Sequence, residues 1–210
     1  MLLAIDTSAG TSVAVVDHEA GVLAEFSSDD TRRHAEVIGD LIAAALTESG
    51  IAVSALSGVV AGMGPGPFTG LRVGIAAARA FAVGAGKIVV PVVSHDAIAF
   101  DALAISNEPL LVATDARRKE VYWSAYSGMD DAGLPIRTLG PSLAPAGELA
   151  QHVPGFDGYR LLEARTVSAA ALGLLAESLY ANRRPFAADE PLYLRSPDVT
   201  ISAGPKRVTS

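Results

Sequence analysis

From Gly62 to Gly74 the chain reads GMGPGPFTGLRVG, after an apolar run and ahead of a helical pattern. Glycines in such a place let the backbone approach a ligand or another segment closely, and the free amides of a helix start attract anions. The stretch is not a Walker A loop, because no Gly-Lys-Ser/Thr follows at the required spacing. It also misses the dinucleotide fingerprint. Gly64 and Gly66 fit, but the third glycine falls at Gly70, one place late, and no acidic residue ends a strand about 20 residues on. Two readings stay open: a rigid strand-to-helix turn stiffened by Pro65 and Pro67, and a loop that faces a phosphate or a partner.

Asp6 and Asp115 each close an apolar run and precede a polar turn, Thr7 to Thr11 and Arg117 to Glu120. Facing each other across a cleft, they could place a magnesium ion against a nucleotide, with Thr7, Ser8, Gly64 and Gly66 as its phosphate contacts; we read this as at most a vestigial cleft. The plainer role for Asp6 is to cap the turn amides of Thr7 and Ser8. The histidines offer less. Two histidines four apart on a helix share a face and converge on one metal ion, but His95 is followed by Ala99, and His18, His34 and His152 stand alone. His95 is therefore expected as a helix-cap or surface residue, with no metal and no cofactor. The chain has no cysteine, which excludes thiolate nucleophiles, cysteine-ligated zinc and disulfides, and it carries no Gly-x-Ser-x-Gly elbow.

The elements that must position these residues follow from hydrophobic period. Strands are expected at Leu2 to Ile5, Ser12 to Asp17 and Val22 to Ser27, then a helix from Arg33 to Ser49 stopped by Gly50. A buried strand at Gly58 to Ala61, a helix from Thr69 to Ala85, a strand at Ile88 to Val93 and a helix from His95 to Ile105 complete the first half. Three strands followed by helix-strand alternation is the ribonuclease-H-like order; doubly wound folds alternate from the start. The second half opens likewise: LLVATDARRKEVYWSAY matches LLAIDTSAGTSVAVVD in form, an apolar strand, a terminal Asp, a polar turn and a second strand. The expected fold is thus α/β, two ribonuclease-H-like subdomains of the actin, Hsp70 and sugar-kinase type with mixed sheets flanked by helices. The boundaries are 1–105 and 106–210, the second subdomain being degenerate. The repeat fades after Gly128, where the chain turns rich in Pro, Gly and Asp. A helix is expected from Ser168 to Arg183, a short edge segment at Pro191 to Ser196, and a frayed tail over the last ten or so residues.

Of the 210 residues, 50% are hydrophobic and 19% charged, with a formal net charge of −7. That is an acidic globule, not a chain that grips nucleic acid by overall charge. Two cationic clusters, Arg32-Arg33 and Arg117-Arg118-Lys119, read as solvated turns. The opening MLLAIDTSAG has no basic leader, and no long apolar run lacks charge and glycine, so neither a signal peptide nor a membrane span is expected and the cytoplasm is the default location.

From Leu71 to Ala85 only Arg72 and Arg79 are polar. A helix apolar almost all round must be covered on two sides. One cover is the sheet; the other is the preceding helix, a second chain, or both. The segment GMGPGPFTGLRVGIAAARAFA resembles the GPGSFTGLRIG stretch of the TsaB family, and the opening AIDTS and the later TDARRKEVYWSAY are similar to that family's pattern. Pro67 stands where the family usually has Ser, so the hydroxyl and amide that Ser would offer are missing. The resemblance implies a non-catalytic scaffold or activator in the synthesis of N6-threonylcarbamoyladenosine in tRNA. Such a subunit pairs with the catalytic TsaD subunit, of the same fold and glycoprotease-like in sequence. In TsaD the HxxxH pair that Ala99 breaks here holds a metal. It further implies the ATPase TsaE as a partner, only indirect contact with tRNA, and a homodimer when the chain is alone. The partner interface is expected from His34, Val37, Ile38, Leu41, Ile42 and Ala45 on the first helix. Leu71, Arg72, Ile75, Ala78, Arg79 and Ala82 on the second complete it. The competing readings are an actin-like ATPase or kinase that uses Asp6, and a metalloendopeptidase that uses His95.

Overall fold

The computed structural model describes residues 1–195. It begins with a meander, β1 (Leu2–Asp6), β2 (Thr11–Asp17) and β3 (Gly21–Ser28). The first half continues through α1 (His34–Ser49), β4 (Gly58–Gly62), α2 (Phe68–Ala85), β5 (Ile88–Val92) and α3 (Ser94–Ile105). The second half runs β6 (Leu110–Asp115), β7 (Glu120–Met129), β8 (Pro135–Pro145), the short α4 (Leu149–His152), β9 (Arg160–Ala164) and α5 (Ala169–Ala181).

Two mixed sheets result, ordered β3-β2-β1-β4-β5 and β8-β7-β6-β9. In each, a central strand pairs antiparallel with the next strand in sequence and parallel with a later one, β1 with β2 and β4, β6 with β7 and β9. The repeat expected from the two Asp-terminated strands therefore continues past Gly128, through β8 and β9. The stretch rich in Pro and Gly is an edge strand, the one place in a sheet where proline removes no needed donor. The expected edge segment at Pro191 is irregular over 191–195, tied to the loop after β4 by a bond from Leu192 N to Met63 O, 2.8 Å. Ser196 and the expected frayed tail lie outside the described residues.

The core is layered. Odd-numbered β1 residues Leu3 and Ile5 meet α1 and α2 through Ile38, Ala45, Leu71, Ile75, Ala78 and Ala82. The even-numbered Leu2 and Ala4 meet α5 and α3 on the other face, in one cluster that also takes Leu110, Val112 and Tyr126 from the second sheet. Leu111, Ala113 and Trp123 close the far side of that sheet with Leu149 of α4. The order is α1/α2, first sheet, α5 with α3, second sheet, α4. The two halves exchange helices, since α5 from the second half lies on the first sheet and α3 from the first half lies on the second. Among the described residues only α2 is long and apolar enough to cross a membrane by length and composition; its Leu71-Ile75-Ala78-Ala82 side is buried against the first sheet.

Two contacts hold the middle layer. Gly173 of α5 lies so close to the first sheet that a Cβ there would sit 2.6 Å from Val16 Cγ2 and 3.3 Å from the Ala4 Cβ. His95 of α3 is wholly buried, with Nδ1 2.9 Å from Ser124 Oγ and Nε2 2.9 Å from Thr114 Oγ1. The expectation of a cap or surface histidine is corrected: its partners come from strands remote in sequence. Beside it Tyr126 donates to Asp96 Oδ1 at 2.8 Å, and Arg137 stands 3.6 Å from the same oxygen. Burial, helped by the nearby Arg137, holds the His95 imidazole down at about 3.

Two measurements check this layer. Gly173→Val is expected to cost about 1–3 kcal/mol by overpacking and to lower the thermal midpoint by roughly 3–10 °C. The His95 imidazole stays neutral when folded down to about pH 3, whereas the unfolded chain protonates it near pH ~6.5. Its contribution is thus intact above the unfolded value and is lost as pH falls below it, by up to about 1.4 kcal/mol per pH unit. Asp6 and Asp96, both raised by burial, work in the opposite direction. In urea titrations His95→Gln is expected to be less stable at pH 7, yet to lose less on going to pH 5 than the parent; equal or steeper loss would refute a buried neutral imidazole.

Candidate functional site

The turn after β1 and the glycine loop are locked together. The Thr7 hydroxyl donates to Gly70 O at 2.7 Å and accepts from Gly74 N at 3.0 Å. Gly66 packs on the same turn, where a Cβ would sit 2.8 Å from the Ser8 Cα, and a Cβ on Gly74 would collide with Thr7 Oγ1. These glycines serve close approach of two backbones. Asp6 lies beneath. Its Oδ1 accepts from Ser8 N at 2.7 Å and from Ser8 Oγ at 2.6 Å, and its Oδ2 accepts from Ser94 Oγ at 2.5 Å. The expected cap on Ser8 is present. Burial pushes the Asp6 carboxyl above its ordinary range, against the lowering pull of those hydrogen bonds. Asp115 is exposed, with Oδ1 accepting from Arg117 N at 2.9 Å. Asp6 is engaged behind Ser8 while Asp115 lines an open cleft, so the two carboxylates do not face each other across it.

Both ring nitrogens of His95 are engaged by hydroxyls, and the position four residues on is the buried Ala99. Among the described residues no group of three or more His, Asp or Glu side chains is placed to hold a metal ion.

The residues expected at a partner face divide. Ile38, Ala45, Leu71, Ile75, Ala78 and Ala82 are buried on the first sheet. Val37, Leu41 and Ile42 stay half-buried, and Arg72 and Arg79 are exposed. Arg79 pairs with Asp189 at 2.8 Å, and the Arg72 guanidinium lies over the Phe68 ring, 4.8 Å from its centroid. Phe68 also meets Tyr193, ring centroids 4.8 Å apart, so residues 187–195 strap the start of α2 against the loop. The outer face of α2 is a further row: Ala76, Ala80, Val83 and Gly84 are exposed, Val83 by 82%, with Val73 and Ala77 half-buried beside them.

His34 turns elsewhere. It opens α1, is 8% exposed, and sets Nδ1 2.8 Å from Thr11 Oγ1. It lines a cleft of about 570 Å³ between the β1 and β6 turns, together with Ser8, Thr69, Arg32, Arg117 and Arg165. Arg32 and Arg117, one from each cationic cluster that read as a solvated turn, both line this cleft, and Arg117 Nη2 donates to Thr31 Oγ1 at 2.7 Å. Arg165 carried no sequence signal; it follows β9, itself unforeseen.

The sequence model of the family described as TsaD, tRNA N6-adenosine threonylcarbamoyltransferase, matches residues 12–136. An uncharacterized Mycobacterium tuberculosis protein is 40% identical over 94% of this chain and 92% of its own length. The Escherichia coli tRNA threonylcarbamoyladenosine biosynthesis protein TsaB is 33% identical over 63% of this chain and 57% of its own length. Among solved structures, YeaZ from Pseudomonas aeruginosa superposes with a TM-score of 0.75 at 25% identity, covering 92% of this chain and 99% of that one. A further Pseudomonas aeruginosa protein, described as similar to the peptidase YeaZ, gives 0.76 at 26%, again over 92% and 99%. With the family model spanning more than half of the chain and the YeaZ fold covering 92% of it, the chain belongs to the TsaB/YeaZ family of tRNA threonylcarbamoyladenosine biosynthesis.

Proposed function

We propose that the chain is a non-catalytic scaffold of tRNA N6-threonylcarbamoyladenosine synthesis, which binds the catalytic subunit TsaD through α1 and α2. The observation that carries this reading is the row Ala76, Ala80, Val83 and Gly84, exposed on α2 beside Val37, Leu41 and Ile42 of α1. The first sheet covers one side of α2 and leaves this side to water. Small residues let a second pair of helices approach closely, and a specific contact of that type buries about 800 Å² per partner. Engagement of Asp6 by Ser8 and Ser94, and of His95 by Ser124 and Thr114, supports a role without chemistry at either residue. In this reading the ATPase TsaE joins the assembly, tRNA is met through TsaD, the work is done in the cytoplasm, and the same helices pair two copies when TsaD is absent.

Size-exclusion chromatography with light scattering, run with and without TsaD, tests it. The parent chain is expected to co-elute with TsaD at low micromolar concentration. Leu41→Glu, which puts a charge into a desolvated contact, and Ala80→Arg, on a fully surface position, are each expected to weaken the complex at least about fiftyfold. Retention of the complex by both variants would place the interface elsewhere.

A further inference from the structure

The scaffold reading uses α1 and α2 and leaves out the strap of residues 187–195. That strap is fixed at several points. Ala187 N donates to Pro91 O of β5 at 3.1 Å, and Leu192 N to Met63 O at 2.8 Å. At its far end Arg195 donates to Ala116 O at 3.0 Å and pairs with Glu120. Pro191, Leu192 and Leu194 are half-buried, while Asp189, Glu190 and Tyr193 stay exposed. A segment tied along its length holds its side chains in place, so little ordering cost remains when a partner binds it.

The strap follows one flank of α2. His34 of α1 meets α2 at Gly70. Arg72 is two residues on, about 200° around the helix, and Arg79 stands two turns beyond it on the same line. Those two arginines face the strap, Arg79 through Asp189 and Arg72 through Phe68, whose ring meets Tyr193. The exposed row Ala76, Ala80, Val83 and Gly84 is thus bounded by α1 on one side and by the strap on the other.

Charge on this surface is sorted. α1 carries Glu36, Asp40 and Glu48 and no lysine or arginine, whereas α2 carries Arg72 and Arg79 and no acid. The Arg79–Asp189 pair is exposed, and exposed pairs of this kind contribute little and exchange readily. The Phe68 ring fixes the direction of the Arg72 guanidinium. Tyrosine and arginine are the residue types that concentrate binding energy at protein contacts, and here they border an apolar row of small residues.

We infer that the strap is a third element of the docking face, and that the partner surface lying over Arg72, Arg79 and Tyr193 is acidic. This rests on the scaffold reading and takes TsaD as the occupant. Two observations select that surface: Arg72, Phe68 and Tyr193 continue the exposed row of α2 without a break, and α2 is a purely cationic helix in a chain of net charge −7. In the complex a carboxylate of the partner takes Arg72, and Asp189 acts as the placeholder at Arg79 that the partner displaces.

Calorimetric titration of TsaD into the full chain, at about 50 and about 500 mM NaCl, tests the inference, with Ala80→Arg as the reference for the helical contact. Arg72→Glu and Tyr193→Ala are each expected to weaken binding about tenfold. Asp189→Asn, which frees Arg79, is expected to tighten it about twofold at the lower salt only. Arg183→Glu, an equal charge change at the end of α5, leaves it unchanged. Thermal midpoints within about 2 °C of the parent show an intact fold; should Tyr193→Ala melt lower, the exposed substitutions Arg72→Glu and Asp189→Asn carry the test. If Ala80→Arg weakens the complex while Arg72→Glu and Asp189→Asn match the parent, the strap lies outside the contact and the inference fails with the scaffold reading intact. If Ala80→Arg also has no effect, the helical interface fails and the strap proposal with it. Loss of self-association with TsaD binding unchanged would assign the strap to a pair of copies and overturn the inference.

Discussion

One hydroxyl joins the first strand to the second helix. Thr7 Oγ1 lies between Gly70 O and Gly74 N, which fixes how far α2 slides along the sheet, and Asp6 beside it gathers Ser8 and Ser94. The glycines, which the sequence leaves open between a rigid strand-to-helix turn and a loop facing a ligand or partner, are needed because this turn and this helix approach so closely. With α2 seated so closely, its Leu71-Ile75-Ala78-Ala82 side reaches the sheet, and its opposite side is left as a smooth row of small residues. The outward face proposed for a partner is a geometric result of the inward lock.

The same arrangement separates acidic chemistry from the open cleft. Asp6 is held under the Ser8 turn, whereas Asp115, Arg32, Arg117 and Arg165 line the opening. The opening thus sets three guanidiniums and the His34 imidazole beside the carboxylates of Glu36 and Asp115. Arg117, Arg118 and Lys119 all take left-handed backbone, with φ of 66, 53 and 63°, a conformation that non-glycine residues adopt at a cost. That turn brings the Arg117 guanidinium to Thr31, on the opposite wall of the cleft.

The fold of the first half was legible because its strands and helices are long and strongly periodic; each expected element is found within about a residue or two of its range. The second half resisted for identifiable reasons. β8 carries Pro135, Pro141 and Pro145 and is an edge strand, so proline there spoke against a strand that exists. β9 is short and lies at the other edge. His95 read as a surface residue because its partners, Thr114 and Ser124, are brought to it only by the second sheet. The cleft escaped for the same reason: Arg32, Arg117 and Arg165 are separated along the chain and meet only in three dimensions. The composition of α2 announced an excess of apolar surface, and the structure shows which half of it the sheet consumes.

The exchange of helices has a consequence for synthesis. β1 (Leu2–Asp6) and the helix that seals its second face, α5 (Ala169–Ala181), lie far apart in sequence. A nascent chain that has left the ribosome as far as α3 therefore carries a sheet greasy on one side, with the strands that α3 needs still to come. Neither half can close before α5 is made, so long-range docking of α5 governs how quickly the product stops being sticky.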